Sequence, residues 1–327
     1  MMTPITEFDV VFMSYDEPNA DENYADLLTK IPWAQRSHGV KGSDACHKAA
    51  AALSGTDRFI TIDADNIVRE DFLNIQLDLN KIGQNDVISW AGKNVVNGLV
   101  YGNGGIKCWP KHVVEQMKSH EDSDTAEAQV DFCWNINYIQ MNNVYSDVMN
   151  NATPYQAYRA GFREGVKLGL QRGVPINPKK FREHIHYKNY QRLLVWCSVG
   201  EDVLNGEWAM YGTRLGCYLT NMKRDEFDFV NVRDFEWHDN YWNSIVAPQF
   251  AGNDKQCHKS NYIWDTTKLK KETINLGMAL RQELNLELAE LGEWGSKFFK
   301  ATYVNPNRLG PMIKEDQVLK GVGSENE

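Results

Sequence analysis

The segment DRFITIDADN, residues 57–66, constrains this chain more than any other. A short run rich in apolar and β-branched residues gives way to two carboxylates one residue apart, Asp63 and Asp65. A run of this kind, bounded by turn residues, is the pattern of a strand buried on both faces, as parallel strands in α/β proteins are. In an extended chain, side chains two residues apart point the same way, so both acids are expected on one face at the strand's end. Carboxylates so placed repel each other unless a cation lies between them. A hard divalent ion, Mg²⁺ or Mn²⁺, suits the pair, bound by one or two carboxylates together with phosphate oxygens and water.

The flanking sequence repeats a strand–helix alternation. Residues 8–14 (FDVVFMS) form an apolar run, YADLLTKI has helical spacing, and QRSHGV (35–40) reads as a second short strand. GSDACHKAAAALSG is an Ala-rich helix with Ser43 as its expected N-cap and Gly55 as its stop. DVISWAG (86–92) is a further strand, and GLVYGNGGIKCWP (98–110) is expected to be a hairpin or strand pair with glycines at its centre. Such alternation predicts βαβ units on a mostly parallel sheet. Ligands then bind at the carboxyl ends of the strands, which places Ser14, Tyr15, Asp16, Lys41, Asp63 and Asp65 on one rim.

The second half is more helical. TPYQAYRAGFREGVKLGL (153–170) opens on Thr and Pro, as helices do, and meets Gly and Pro stops at 173–175. Residues 188–222 predict one or two helices broken near Gly200 and Gly206, residues 225–246 are aromatic and partly strand-like, and residues 270–294 predict a long amphipathic helix.

Composition excludes some classes. The net charge of −9 argues against a protein that simply coats nucleic acid. One stretch, residues 158–192, is conspicuously basic. No apolar run reaches the roughly 18 residues of a membrane span, and the start has no basic segment followed by a long apolar one, so no secretory signal is expected. The six cysteines (46, 108, 133, 197, 217 and 257) form no CxxC pair, the pattern of reduced thiols in a cytoplasmic compartment.

The order DVVFMSYDEPN, HGVKGSDACHKAAAALS, FITIDADNIVREDF resembles the nucleotide-binding half of the A-type glycosyltransferases, close to the large inverting family that includes many polysaccharide synthases. The resemblance covers roughly residues 8–110. The details SYDEPNADEN, HGVKG and YGNGGIKCWP look like a phage-encoded group of such enzymes, some of which are thought to glycosylate hydroxymethylcytosine in phage DNA. The resemblance implies a GT-A-type, Rossmann-like α/β fold, with residues 1–190 as the nucleotide-sugar-binding and catalytic domain. Residues 191–327 would form a mainly helical region completing the acceptor side. It implies a nucleotide-diphosphate-sugar donor, UDP-sugar above others, with Mn²⁺ or Mg²⁺ neutralising the diphosphate as it leaves. Ser14, Tyr15 and Asp16 would meet the base and ribose, and Lys41 the diphosphate or the base. Asp63 would face the ribose or the metal, and Asp65 would coordinate the metal directly.

Asn103, Gly104 and Gly105 would lie beside the transferred sugar, unless the glycines only form a β-bulge. Inverting transfer needs a general base, for which Asp131 in AQVDFCW and Asp202 in VGEDVLNGEW are candidates; a retaining enzyme needs none. His238, or His184 or His186, could complete the metal shell. Arg159, Arg163 and Lys167 recur every four residues and share a helix face, which could grip the backbone of a DNA acceptor whose target base is exposed. The rival expectations are transfer to a glycan, lipid carrier or protein, and nucleotidyl transfer. The last is disfavoured by the lack of a glycine-rich basic loop after the first strand.

Overall fold

The structure, a computed structural model, describes residues 2–100, 104–119, 136–252 and 263–303. The described residues divide into two compact units: residues 2–100, 104–119, 136–150 and 303 belong to the first, and residues 151–252 and 263–302 to the second. The partition therefore falls at 150/151, whereas the sequence suggested 190/191. The chain is mixed α/β. Among the described residues, no helix is long and apolar enough to cross a membrane.

The first unit is built on β1 (Asp9–Ser14), α1 (Ala20–Lys30), β2 (Gln35–His38), α2 (Ser43–Leu53), β3 (Arg58–Asp63), β4 (Asn66–Val68), β5 (Val87–Asn94), β6 (Ile106–Pro110), α3 (Lys111–Gln116) and β7 (Tyr138–Val148). Its seven-stranded sheet has the order β2-β1-β3-β6-β5-β7-β4. β2, β1 and β3 pair in parallel, as do β5 and β7, while β6 and β4 run antiparallel to their neighbours. The sheet is mixed: its parallel pairs are confined to β2-β1-β3 and β5-β7, where the strand–helix alternation implied a mostly parallel sheet.

Side-chain alternation gives the sheet two cores. Phe12, Ile60, Ile62, Trp90 and Ile106 pack on one face with Leu27 of α1. Val11, Met13, Phe59 and Trp109 pack on the other with Ala50 and Ala51 of α2. The small side chains of GSDACHKAAAALSG are what let α2 lie close to that face. Its N-cap is Gly42 at φ 95°, and Ser43 is the first helical residue, not the cap. Among its described residues, GLVYGNGGIKCWP contributes the strand β6 and, ahead of it, an isolated bridge between Lys93 and Val100; residues 101–103, at the centre of the expected pair, lie outside the described residues.

The second unit contains α4 (Pro154–Leu168), α5 (Tyr187–Ser198), α6 (Gly206–Met222), α7 (Phe235–Tyr241), α8 (Thr266–Leu284) and α9 (Gly292–Thr302). Thr153 caps α4 by accepting from the Gln156 amide, with Pro154 in the first turn. α4 and α6 pack backbone to backbone: a Cβ at Gly161 or Gly165 would strike the Ala209 or Thr213 carbonyl, and one at Gly212 or Gly216 the Tyr158 or Phe162 carbonyl. Residues 225–246 hold no strand. Asp234 caps α7 through the Glu236 amide, and the aromatic residues there wrap Phe162, with Trp237 and Tyr241 stacked on each other. α8 ends at Leu284, short of the expected 294, because Asn285 turns left-handed at φ 53°.

Arg214 of α6 is fully buried at 0% exposure. Its guanidinium donates to the Cys197 carbonyl of α5, the Thr273 carbonyl of α8 and, through two nitrogens, the Glu290 carboxylate. Removing it takes the guanidinium donors from the buried Cys197 and Thr273 carbonyls and leaves Glu290, which is partly exposed, with Arg281 as its remaining partner. Arg214→Ala is expected to cost about 3–5 kcal/mol of unfolding free energy in urea titration; a loss below about 1 kcal/mol would contradict this role.

Candidate functional site

The parallel strands end level with one another, since Ser14 pairs with His38 and Met13 with Asp63. The carboxyl rim therefore carries Ser14, Tyr15 and Asp16 after β1, Lys41 after β2, and Asp63 to Asp65 after β3. Ser14 is buried, and its hydroxyl accepts from Arg36 Nε and bonds His38 Nδ1, both at 2.9 Å. Arg36 is itself paired with Asp21. Tyr15 is half-buried, whereas Asp16 and Lys41 are exposed.

Asp63 closes β3, and the chain turns at Ala64 before β4, so the two acids are not on one extended strand as the spacing implied. They are nevertheless neighbours, because the turn is tied at every step. The Asp63 amide donates to the Gly105 carbonyl at 2.9 Å. The Ala64 carbonyl accepts from the Asn23 side chain of α1 at 2.8 Å. The Asp65 carbonyl accepts from the Met149 amide at 2.6 Å. The Asp65 carboxylate itself accepts from Asn66 Nδ2 at 2.8 Å. Asn66 is buried, and its carbonyl oxygen accepts from Ser146 of β7 at 2.7 Å, which fixes the amide's orientation.

Gly104 and Gly105 make this arrangement possible. A Cβ at Gly104 would collide with the backbone of Ala91 and Gly92, and one at Gly105, which sits at φ 93°, with the Asn66 side chain. The glycines are thus needed for close backbone approach.

Burial pushes the Asp65 carboxyl up to about 7, and the negative charges of Asp63 and then Glu17 add to the effect; the Asn66 hydrogen bond opposes it. Glu17, whose carboxylate accepts from the Tyr15 amide at 2.8 Å, was not singled out in the sequence; its neighbour Asp16 was. On the α2 face, Lys107 of β6 stands 3.8 Å from the Asp63 carboxylate. His47 of α2 packs edge-on to Trp109 and donates from Nδ1 to the Ser43 carbonyl. Burial lowers its pKa, against the Ser43 bond and the nearby Asp63. Glu17, Asn66, Lys107 and His47 carry no spacing signal. Asn66 follows the acids directly in DADN, and Lys107 interrupts an otherwise apolar strand; those are the only marks they leave.

The carboxylates of Asp63, Asp65 and Glu17 are oxygen donors with negative charge in excess, which suits a hard divalent cation. Among the described residues, no three His, Cys, Asp or Glu side chains converge where they could hold a metal. The remaining ligands of an ion on Asp63 and Asp65 would be phosphate oxygens and water.

The other predicted residues lie elsewhere. Asn103 and Asp131 fall outside the described residues. Asp202, in the second unit, is 6% exposed and ion-paired with Lys300 at 2.7 Å, so one of its oxygens is already engaged. His238 also belongs to the second unit; its Nε2 donates to the Val232 carbonyl at 2.9 Å and its ring packs edge-on against Phe162. Burial, reinforced by Arg163 and Arg159, pushes it down to about 3, the setting of a packed histidine. His184 and His186 are exposed in the second unit. On α4, Arg159 lies over the Phe235 ring at 4.4 Å and Lys167 pairs with Glu164 at 3.6 Å; Arg163 and Lys167 are exposed. A cavity of about 740 Å³ in the second unit, lined by Leu204, Glu207, Trp208 and Lys270 among others, includes none of the predicted residues.

No protein-family model matches the chain, and no curated protein matches it either.

The Asp65 shift has a thermodynamic consequence. Its carboxyl ionises near 7 when folded and near 3.8 when unfolded, so the folded state binds the extra proton and loses stability as pH rises between those values. Above about 7 the loss is complete. Asp65→Asn, which keeps an acceptor for Asn66, should therefore raise Tm relative to the native chain more at pH 8 than at pH 5, in chelator. An equal shift at both pH values would show that Asp65 is not held in this environment.

Proposed function

We propose that the chain is a metal-dependent glycosyltransferase of the A type, moving a sugar from a nucleoside-diphosphate donor, UDP-sugar above others, to an acceptor hydroxyl. The observation that carries this is the tethered Asp63-Ala64-Asp65 turn on the carboxyl rim of the parallel strands of a mixed sheet. A site of this kind needs carboxylates that stay in place whether or not a cation is present. Four hydrogen bonds, to Gly105, Asn23, Met149 and Asn66, meet that need. Asp65 and Asp63 would hold Mn²⁺ or Mg²⁺, which would stabilise the departing diphosphate. Ser14 and Tyr15 lie at the end of β1, where a nucleoside would approach across the rim.

For the acceptor we propose 5-hydroxymethylcytosine in DNA. The exposed Arg163 and Lys167 on α4 support it, since phosphate contacts supply much of the affinity for nucleic acid.

The test is incubation with a panel of nucleotide-sugars and Mn²⁺, offering hydroxymethylcytosine DNA and simple saccharides as acceptors. Transfer to the DNA with release of nucleoside diphosphate is expected. EDTA should abolish it, and Asp65→Asn should reduce it by about 100-fold or more. Transfer to saccharide alone would overturn the acceptor, and pyrophosphate as the released product would replace glycosyl with nucleotidyl transfer.

A further inference from the structure

Lys107 occupies a position that sheets seldom give to a lysine. It lies in β6, opposite Thr61 of β3 on one side and Ser89 of β5 on the other, and is 4% exposed. Thr61, Asp63 and Lys107 share the face of the sheet that packs on α2, where Met13, Val11 and Trp109 form an apolar floor. An ammonium has three N–H donors. Among the described residues its one ionic partner is the Asp63 carboxylate at 3.8 Å, beyond hydrogen-bond length, and none accepts a hydrogen bond from it. A lysine confined in a sheet, with no acceptor within hydrogen-bond length of its ammonium among the described residues, is costly beside a methionine of similar length, which would fill the same space. Retaining the lysine makes physical sense if its acceptors come from a molecule the chain binds.

Position identifies the chemistry. Asp63 interacts with both Lys107 and Asp65, its carboxylate 3.8 Å from Lys107 and its charge felt by Asp65. Asp65, with Glu17 nearby, presents excess negative charge and suits a cation; Lys107 presents positive charge and suits an anion. A diphosphate carrying a divalent cation matches both. We infer that Lys107 is a donor-binding residue, its ammonium taking an oxygen of the nucleoside diphosphate while the carboxylate pair holds the cation on that diphosphate. This rests on the glycosyl-donor reading above.

Two consequences follow from the charges. Part of the diphosphate affinity survives without metal, because Lys107 remains. Lys107 also opposes the cation until the anion arrives, so the two ligands strengthen each other.

The experiment compares the native chain with Lys107→Met. Nucleoside diphosphates (UDP, GDP, ADP, CDP and dTDP) are titrated by tryptophan fluorescence in Mn²⁺ and in EDTA, and Mn²⁺ alone is titrated by electron paramagnetic resonance. The variant is expected to bind Mn²⁺ alone at least as tightly as the native chain. Its Kd for the best nucleotide should rise about tenfold or more, and the binding seen in EDTA should vanish. Lys107→Arg should restore part of the affinity. Nucleotide affinity within twofold of native would overturn the inference, as would a joint loss of Mn²⁺ and nucleotide binding, which marks a structural role. A native chain that binds both ligands, with Lys107→Met unaffected, leaves the donor reading intact and removes only Lys107. A native chain that binds neither overturns both. Lys107→Gln, judged by the same outcomes, replaces the methionine variant if that one does not fold.

Discussion

The close approach of Gly104 and Gly105 to β5 and to Asn66 is the constraint on which the first unit depends. β6 enters the sheet antiparallel between β3 and β5, and it can do so only if its leading residues pass against Ala91 and Gly92 without side chains. That passage puts the Gly105 carbonyl where the Asp63 amide can reach it, and it leaves room for the Asn66 amide against a residue with no Cβ. Asn66 then orients the Asp65 carboxylate, and Ser146 orients Asn66. Sheet order and acidic turn are thus set by one contact. Any side chain at either glycine must move backbone or displace Asn66, so the turn and the sheet would be lost together.

Much of the first unit was legible in the sequence because its signals are local. The apolar runs ending at Ser14 and Asp63 and the Ala-rich helix between them are stated by residue type alone, and β1, α2 and β3 follow them closely. The antiparallel insertion of β6 was not legible, because register across a sheet is a long-range property that GLVYGNGGIKCWP does not encode by periodicity. For the same reason Glu17 was passed over in favour of Asp16. Alternation along an extended chain ranks neighbours only until the backbone bends, and it bends directly after Ser14. Asp63 and Asp65 were expected on one face of an extended strand, and that argument fails locally: Asp65 lies beyond the strand in a turn held by hydrogen bonds, from which it still feels the charge of Asp63.

The second unit shows the opposite balance. Its helices carry their own boundaries in Thr153, Pro154 and Asn285, yet the packing that unites them was not read. Gly161 and Gly165 face Gly212 and Gly216 across α4 and α6, a four-residue repeat visible in AGFREG and GTRLG. Partner helices cannot be assigned from such repeats alone. His238 illustrates the same limit. A histidine among aromatics and acids looks available for metal, while burial, reinforced by Arg163 and Arg159, holds it neutral against the Val232 carbonyl bond. Aromatic residues at 225–246 suggested strand because β-propensity measures fit to a half-buried surface, and here a helical layer around Phe162 supplies that surface.

The tethered acids are proposed to form a cation site facing a diphosphate. Crystals grown with Mn²⁺ and a nucleoside diphosphate, with data collected at the manganese edge, test it directly. One anomalous peak is expected about 2 Å from an Asp65 carboxylate oxygen, with phosphate oxygens completing the shell. A nucleotide bound on the rim with no manganese at Asp65, or manganese bound elsewhere in the chain, would contradict it.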